Sequence, residues 1–342
     1  MRPKDLGMLF LLGAIWGGSF LFIRVAVPVL GPFALMELRV GLAVVALALY
    51  ALAVARLPRL RAQWREFLTL GALNAAIPFS LIGAAELNLT ASLAAILNST
   101  TVLFGAVVAA VWAGEALTTR KVIGVVSGIV GVVVLVGWTP IALNGVVLLS
   151  VGAMLVASFS YALAGTYAKR TFAGTPPLAL AIGQQAAAAT LLLPLAAVSL
   201  PERMPSLAVS FSVLALALLC TAVAYLLYFR LIMNVGPTKT LTVTYLVPVF
   251  GLVFGVLFLG EPLGVGTLVG LGIILSSVTL VTGIRLGEAR REPRTDITSG
   301  SGLEFGEAYR ALPRRGWRRV LALWGSTATP FFRSGISYGP RS

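Results

Sequence analysis

Residues 87–117 read LNLTASLAAILNSTTVLFGAVVAAVWAGEAL, and residues 233–263 read MNVGPTKTLTVTYLVPVFGLVFGVLFLGEPL. Moving the first by 146 positions, from 87 to 233, lays it on the second without a gap. Asn88 meets Asn234, Phe104 meets Phe250, Gly105 meets Gly251, and Gly114-Glu115 meets Gly260-Glu261. The register runs on, with Gly124 on Gly270 and Val132 on Val278. The rare landmarks, Asn at one end and Gly-Glu at the other, mark an internal repeat, which decides the fold before any single element does.

The repeat lies in a chain of 342 residues that is 58% hydrophobic and 11% charged, with mean hydropathy +0.96. A soluble domain carries about 25% charged residues. Apolar runs of about 20 residues recur, each long enough to cross roughly 30 Å of hydrocarbon as a helix. Ten spans are expected, at 7–27, 33–55, 67–85, 91–113, 121–138, 144–167, 178–199, 208–229, 238–259 and 265–284. The basic start at Arg2 and Lys4 resembles a signal peptide, but the apolar run is long and no clear small-x-small site follows, so it reads as an uncleaved first helix.

Each half then holds five spans. Five is odd, so the second copy crosses the membrane in the opposite sense. The expected fold is an all-α membrane protein with ten transmembrane helices as two inverted five-helix repeats, 6–138 and 144–284, followed by a basic segment at 285–342. Such repeats are typical of secondary transporters, whose site lies between the halves near the midplane. At an offset of 145, Trp16 to Arg24 also lies over Tyr161 to Lys169.

Basic residues concentrate in cytoplasmic loops. With the N-terminus inside, Arg56, Arg59, Arg61, Arg65, Arg120, Lys121, Lys169, Arg170, Arg230 and Lys239 fall on one side, while Arg24 and Arg203 fall on the other. Both termini are therefore expected in the cytoplasm. The segment from Arg285 holds 11 of the 26 Lys and Arg, and its composition predicts disorder. Within it Trp317, Val320, Leu321 and Trp324 share a helical face among arginines, a pattern suited to contact with anionic lipid. A solvated basic tail is the competing reading.

Several chemistries are excluded or nearly so. The chain has no histidine and one cysteine, Cys220. No metal site, disulfide or histidine base is expected, and no cofactor. There is no phosphate-binding loop for ATP hydrolysis, and no nucleophile–base or carboxylate pair for an enzyme. The net charge of +14 comes from loops and tail, so it suits a lipid bilayer rather than nucleic acid.

Polar side chains within spans usually face a cavity or another helix. Asn98 and Ser99 on span four, and Thr242, Thr244 and Tyr245 on span nine, are the candidates from the repeat itself. Trp16, Asn74, Tyr161, Gln184 and Tyr225 join them, since aromatics enclose a small solute and amides orient it. Ser19 and Tyr228 have the same character. For Ser and Thr the alternative is a bond back to their own helix, or glue between helices. Adjacent Gln184 and Gln185 cannot face the same way.

Glu115 and Glu261 each follow Gly at the end of a span, where a carboxylate neutralises free N–H groups at a helix start. Pro248 interrupts span nine and suits a kink or gate, with Gly105 and Gly251 as the paired glycines of the moving helices. The glycines of spans five and ten suit close packing at the periphery. No membrane acid offers itself as a proton carrier. Glu37 is near enough to Arg39 to pair with it, and Glu86 sits at the outer edge of span three.

The segment TAVAYLLYFRLIMNVGPTKTLTVTYLVPVFGLVFGVLFLGEPL (Thr221–Leu263), its sister ending GAVVAAVWAGEAL, IWGGSFLFIR (Ile15–Arg24) and Arg39 resemble the EamA-type branch of the drug/metabolite transporter superfamily. The resemblance covers residues 6–284. It implies a bacterial inner-membrane carrier, commonly an exporter of amino acids or related metabolites, with a cavity formed by spans one to four and six to nine. The chain departs from the family in its longer tail. It also lacks the first-span carboxylate that related small multidrug-resistance proteins use. The expected function is a secondary transporter exporting a small-molecule substrate by alternating access. Drug or toxic-compound efflux, and a non-transporting sensor or subunit acting through the tail, are the alternatives.

Overall fold

A computed structural model of the chain describes residues 1–54, 60–138, 144–199 and 204–283. The expectations for 285–342, including the tail's disorder and lipid contact, lie outside the described residues, as do those for Arg56, Arg59 and Arg203. Among the described residues there are helices and no strands. Among the described residues eight helices are long and apolar enough to cross a membrane. They are α1 (Pro3–Ala53), α2 (Arg61–Glu86), α3 (Ala91–Trp112), α4 (Thr119–Gly137), α5 (Gly145–Thr171), α6 (Pro177–Ala197), α7 (Leu207–Val235) and α9 (Val265–Thr282). Between the last two, α8 (Val243–Leu259) is apolar but shorter.

Helix α1 has 51 residues, about 77 Å at 1.5 Å per residue and far more than one bilayer core requires. It is broken at Gly31, whose φ of 70° and ψ of 164° are not helical. The cause is local. Pro32 follows, and the residue before a proline is pushed out of the α region. A glycine takes the positive φ at no steric penalty. The break falls between the spans expected at 7–27 and 33–55.

Two helices contain π turns, at Ala72–Ala76 in α2 and at Ala215–Val223 in α7. A π turn adds a residue to the helix, often at functional positions. Within the second, the Thr221 hydroxyl donates to the Leu216 carbonyl at 2.8 Å.

Packing follows side-chain size. Helices α4 and α9 pair closely, because a Cβ at Gly131 would come within 3.2 Å of the Ile274 amide and one at Gly270 within 2.8 Å of the Leu135 Cα. Only Gly lets the backbones approach so far. Helix α1 packs on α6, α7 and α8, so the front and back halves of the chain are interleaved. The core between them holds Leu12, Ile23, Met36, Leu97, Met154 and Leu216. Val111, Leu149, Leu257 and Phe258 are left exposed, as expected of helices whose outer surface meets lipid rather than water.

Candidate transport cavity

A cavity of about 270 Å³ lies at the centre of the helices. Its walls come from both halves: Trp16, Ser19 and Arg39 from α1, Asn74 and Phe79 from α2, and Asn98, Ser99 and Thr101 from α3 or the turn within it. Opposite stand Tyr161 from α5, Cys220, Tyr225 and Tyr228 from α7, and Thr244 and Pro248 from α8. The two π turns place Asn74 and Cys220 on this space. Trp16 packs on Tyr228 with ring centroids 5.4 Å apart, and Tyr161 meets Phe79 edge-on at 6.4 Å. The volume and the mix of aromatic walls with a few polar groups suit a small organic solute.

Seven of the ten substrate-site expectations therefore share one space: Trp16, Asn74, Asn98, Ser99, Tyr161, Tyr225 and Thr244. The other three do not line it. Gln184 stands behind the wall and accepts a hydrogen bond from the Asn74 amide at 2.8 Å. Thr242 and Tyr245 turn to a groove on another side of α8, bounded by Leu9, Leu275 and Thr279. The Tyr245 hydroxyl bonds Thr282 Oγ1 at 2.8 Å. Span nine, expected as one helix over 238–259, is interrupted: residues 237–240 form a separate turn and α8 begins only at Val243. Gln185 is fully buried elsewhere in the core.

Several hydroxyls do bond back to their own helix. Ser99 donates to Ile96 at 2.5 Å, and Thr244 donates to Leu241 at 2.8 Å. They border the cavity with an already engaged donor and retain acceptor capacity. Cys220 is buried and donates to the Ile15 carbonyl at 3.2 Å, a packing contact rather than a reactive thiol.

Arg39 is a cavity residue that sequence reasoning did not place at the site. It is 5% exposed, its Nε donates to Thr221 Oγ1 at 3.1 Å, and its guanidinium carbon lies 3.8 Å from the Phe79 ring centroid. Among the described residues it has no ion pair with Glu37, contrary to the expectation of a pair within span two. Residues two apart on a helix point to different faces. The signal was present, because an ionisable side chain inside a span is a functional candidate by default.

A second space of about 580 Å³ shares Thr101, Val102, Tyr161 and Thr244 with the cavity and continues past Gly105 to Glu115, Lys169 and Arg170. At this end Glu115 pairs with Lys169 at 3.4 Å and Lys121 at 3.8 Å. A Cβ on Gly105 would meet nothing within 4 Å.

The other end is packed. The Glu261 carboxylate accepts from the backbone N–H groups of Ala91 at 2.6 Å and Ser92 at 2.9 Å, and from the Ser92 hydroxyl. It caps α3, not the helix that follows it in sequence. A Cβ on Gly251 would collide with the Ala95 Cβ. The two Gly-Glu turns are nevertheless alike in backbone. Gly114 and Gly260 are left-handed, and the N–H groups of Glu115 and Glu261 reach back to the carbonyls of Ala109 and Gly255.

Comparison with known proteins agrees with this architecture. The model of the EamA-like transporter family matches residues 5–137 and again 148–283. The uncharacterised inner membrane transporter YedA of Escherichia coli (strain K12) is 29% identical over 285 residues, covering 81% of this chain and 90% of that protein. The uncharacterised transporter YvbV of Bacillus subtilis (strain 168) is 27% identical over 280 residues, covering 80% and 90%. A solved crystal structure at 19% identity has a TM-score of 0.58 over 82% of this chain and 97% of its own, a likeness of fold. The chain is a membrane transporter that belongs to the EamA-like transporter family.

Proposed function

We propose that the chain is a secondary carrier of the inner membrane that exports amino acids or related small metabolites by alternating access, without ATP and without an enzymatic step. The observation that carries this is the polar, aromatic cavity walled by both halves and joined to a vestibule at one end.

Dividing α1 at Gly31 and adding α8 brings the eight long helices to ten, five in 6–138 and five in 144–284. The inverted repeat is supported by matched contacts. Asn88 donates to Ser150 at 3.2 Å, and Asn234, its counterpart, donates to Asp5 at 2.9 Å. Each bond joins the end of the third span in one half to the start of the first span in the other.

The equivalent residues then differ as the two ends of a carrier must. Gly251 is packed and Gly105 is open. Glu261 caps α3, whereas Glu115 pairs with lysines. With Lys169 and Arg170 cytoplasmic, this is the inward-facing arrangement. In the outward-facing one, Glu115 moves to the chain at 237–238 and Gly105 closes on Leu241. Pro237 has no N–H, so this second latch is the weaker.

The six aromatic wall residues, Trp16, Phe20, Phe79, Tyr161, Tyr225 and Tyr228, favour drug efflux as the second reading. Purified protein in liposomes tests both. Counterflow of at least one compound from a broad panel of amino acids, metabolites and aromatic drugs is expected, and movement of none ends the carrier reading.

A further inference from the structure

We propose that Arg39 is the docking point for a carboxylate of the transported solute, which makes the cargo an organic acid or amino acid rather than a cationic drug. The inference rests on the carrier reading above and names its substrate class.

Among the described residues Arg39 is the single charged side chain on the cavity wall, and it is almost wholly buried. A buried charge normally has a partner, because an unpaired one loses its hydration without return. Among the described residues no carboxylate comes within ion-pair distance of it, and Glu115 is the acid in both ion pairs found. Glu37 and Glu86 hold buried carboxylate oxygens without hydrogen bonds, but neither lines the cavity. Of the five guanidinium donors, one is used, on Thr221. That bond and the Phe79 ring beneath fix the guanidinium plane. The terminal nitrogens make no hydrogen bond among the described residues and are not sealed from the open space.

A planar fork held in this way matches a carboxylate in bidentate geometry. One cation on one wall suits a single negative charge better than a phosphate dianion. The repeat sharpens the point. Arg39 and Gln184 stand 145 positions apart, the offset that aligns the first spans, and Gln184 is uncharged, does not line the cavity and is occupied by Asn74. The charge is thus on one side of the pseudo-symmetric cavity. A bound acid is oriented with its carboxylate on Arg39 and its body against Trp16, Tyr225 and Tyr228.

The test is thermal stabilisation of the full chain in detergent by matched compounds: amino acids and small organic acids, their neutral amides or esters, the corresponding amines, and chloride and phosphate as inorganic probes. At least one acid is expected to raise the melting temperature where its amide, ester and amine do not. Arg39→Gln is expected to weaken that acid at least about tenfold, with Arg39→Lys between. Thr221→Val, which only loosens the fork, is expected to weaken it less and keeps the test open if Arg39→Gln does not fold. Equal binding of acids and neutral derivatives, equal stabilisation by chloride or phosphate, unchanged affinity in Arg39→Gln, or no stabilisation by any acid overturns the inference. The first three outcomes leave the carrier reading intact. Acid binding without flux in liposomes is the reverse case, in which the docking site stands and the carrier reading fails.

Discussion

Glu261 and Ser92 stand 169 residues apart and meet at the start of α3, where the carboxylate takes the Ser92 amide at 2.9 Å and its hydroxyl as well. With Ala91 this makes three donors on one side chain. A helix start holds free N–H groups and a partial positive charge, so a carboxylate there is stabilised twice. The bond joins the two halves of the chain at the closed end of the cavity.

Glu261→Ala is expected to destabilise the purified protein by about 1–3 kcal/mol, because it strands two amide donors at a partly buried helix end. Glu115→Ala removes partly exposed pairs and is expected to change stability by about 0–1 kcal/mol. Thermal unfolding of the two variants side by side measures the difference. Equal losses would contradict the asymmetric latch.

The glycine pair behaves likewise. Gly251→Ala drives a methyl into Ala95, an overpacking of about 1–3 kcal/mol. Gly105→Ala adds a methyl to open space and is expected within about 0.5 kcal/mol of the parent. Unfolding transitions report this directly. Flux by Gly105→Ala should then fall only if Gly105 packs closely in the other conformation.

In liposome flux, Asn98→Leu is expected to abolish transport while the protein still inserts and stays monodisperse. Tyr245→Phe loses only the bond to Thr282, about 0.5–1.5 kcal/mol of stability, and is expected to transport at near the parental rate. The reverse ranking would move the site from the central cavity to the groove beside α9.

A disulfide between Gly105→Cys and Leu241→Cys, in a Cys220→Ala background, is expected to form on oxidation as the open end closes. It should stop flux until reduced. Free transport by the cross-linked protein would remove the proposed closure of α3 on α8 at this end.

Much of the architecture was legible in the sequence. The alternation of long apolar runs with basic loops gives an all-helical membrane protein, because lipid leaves the backbone few other ways to satisfy its hydrogen bonds. The aligned Gly-Glu landmarks point to a duplicated layout, and Trp16, Asn74, Asn98 and Tyr161 line one cavity, as polar atoms in hydrocarbon need somewhere to face. Three things needed the tertiary structure. Tyr245 leaves the cavity because the chain at 241–242 breaks the span that was expected to run as one helix over 238–259. Arg39 enters it because its partners, Thr221 and Phe79, lie far off in sequence. And residues that the repeat makes equivalent, Glu115 with Glu261 and Gly105 with Gly251, stand in different environments. Local sequence sets each helix and its turn, whereas which end of the cavity is closed depends on how α3 and α8 pack across the halves, which is a property of long-range contacts alone.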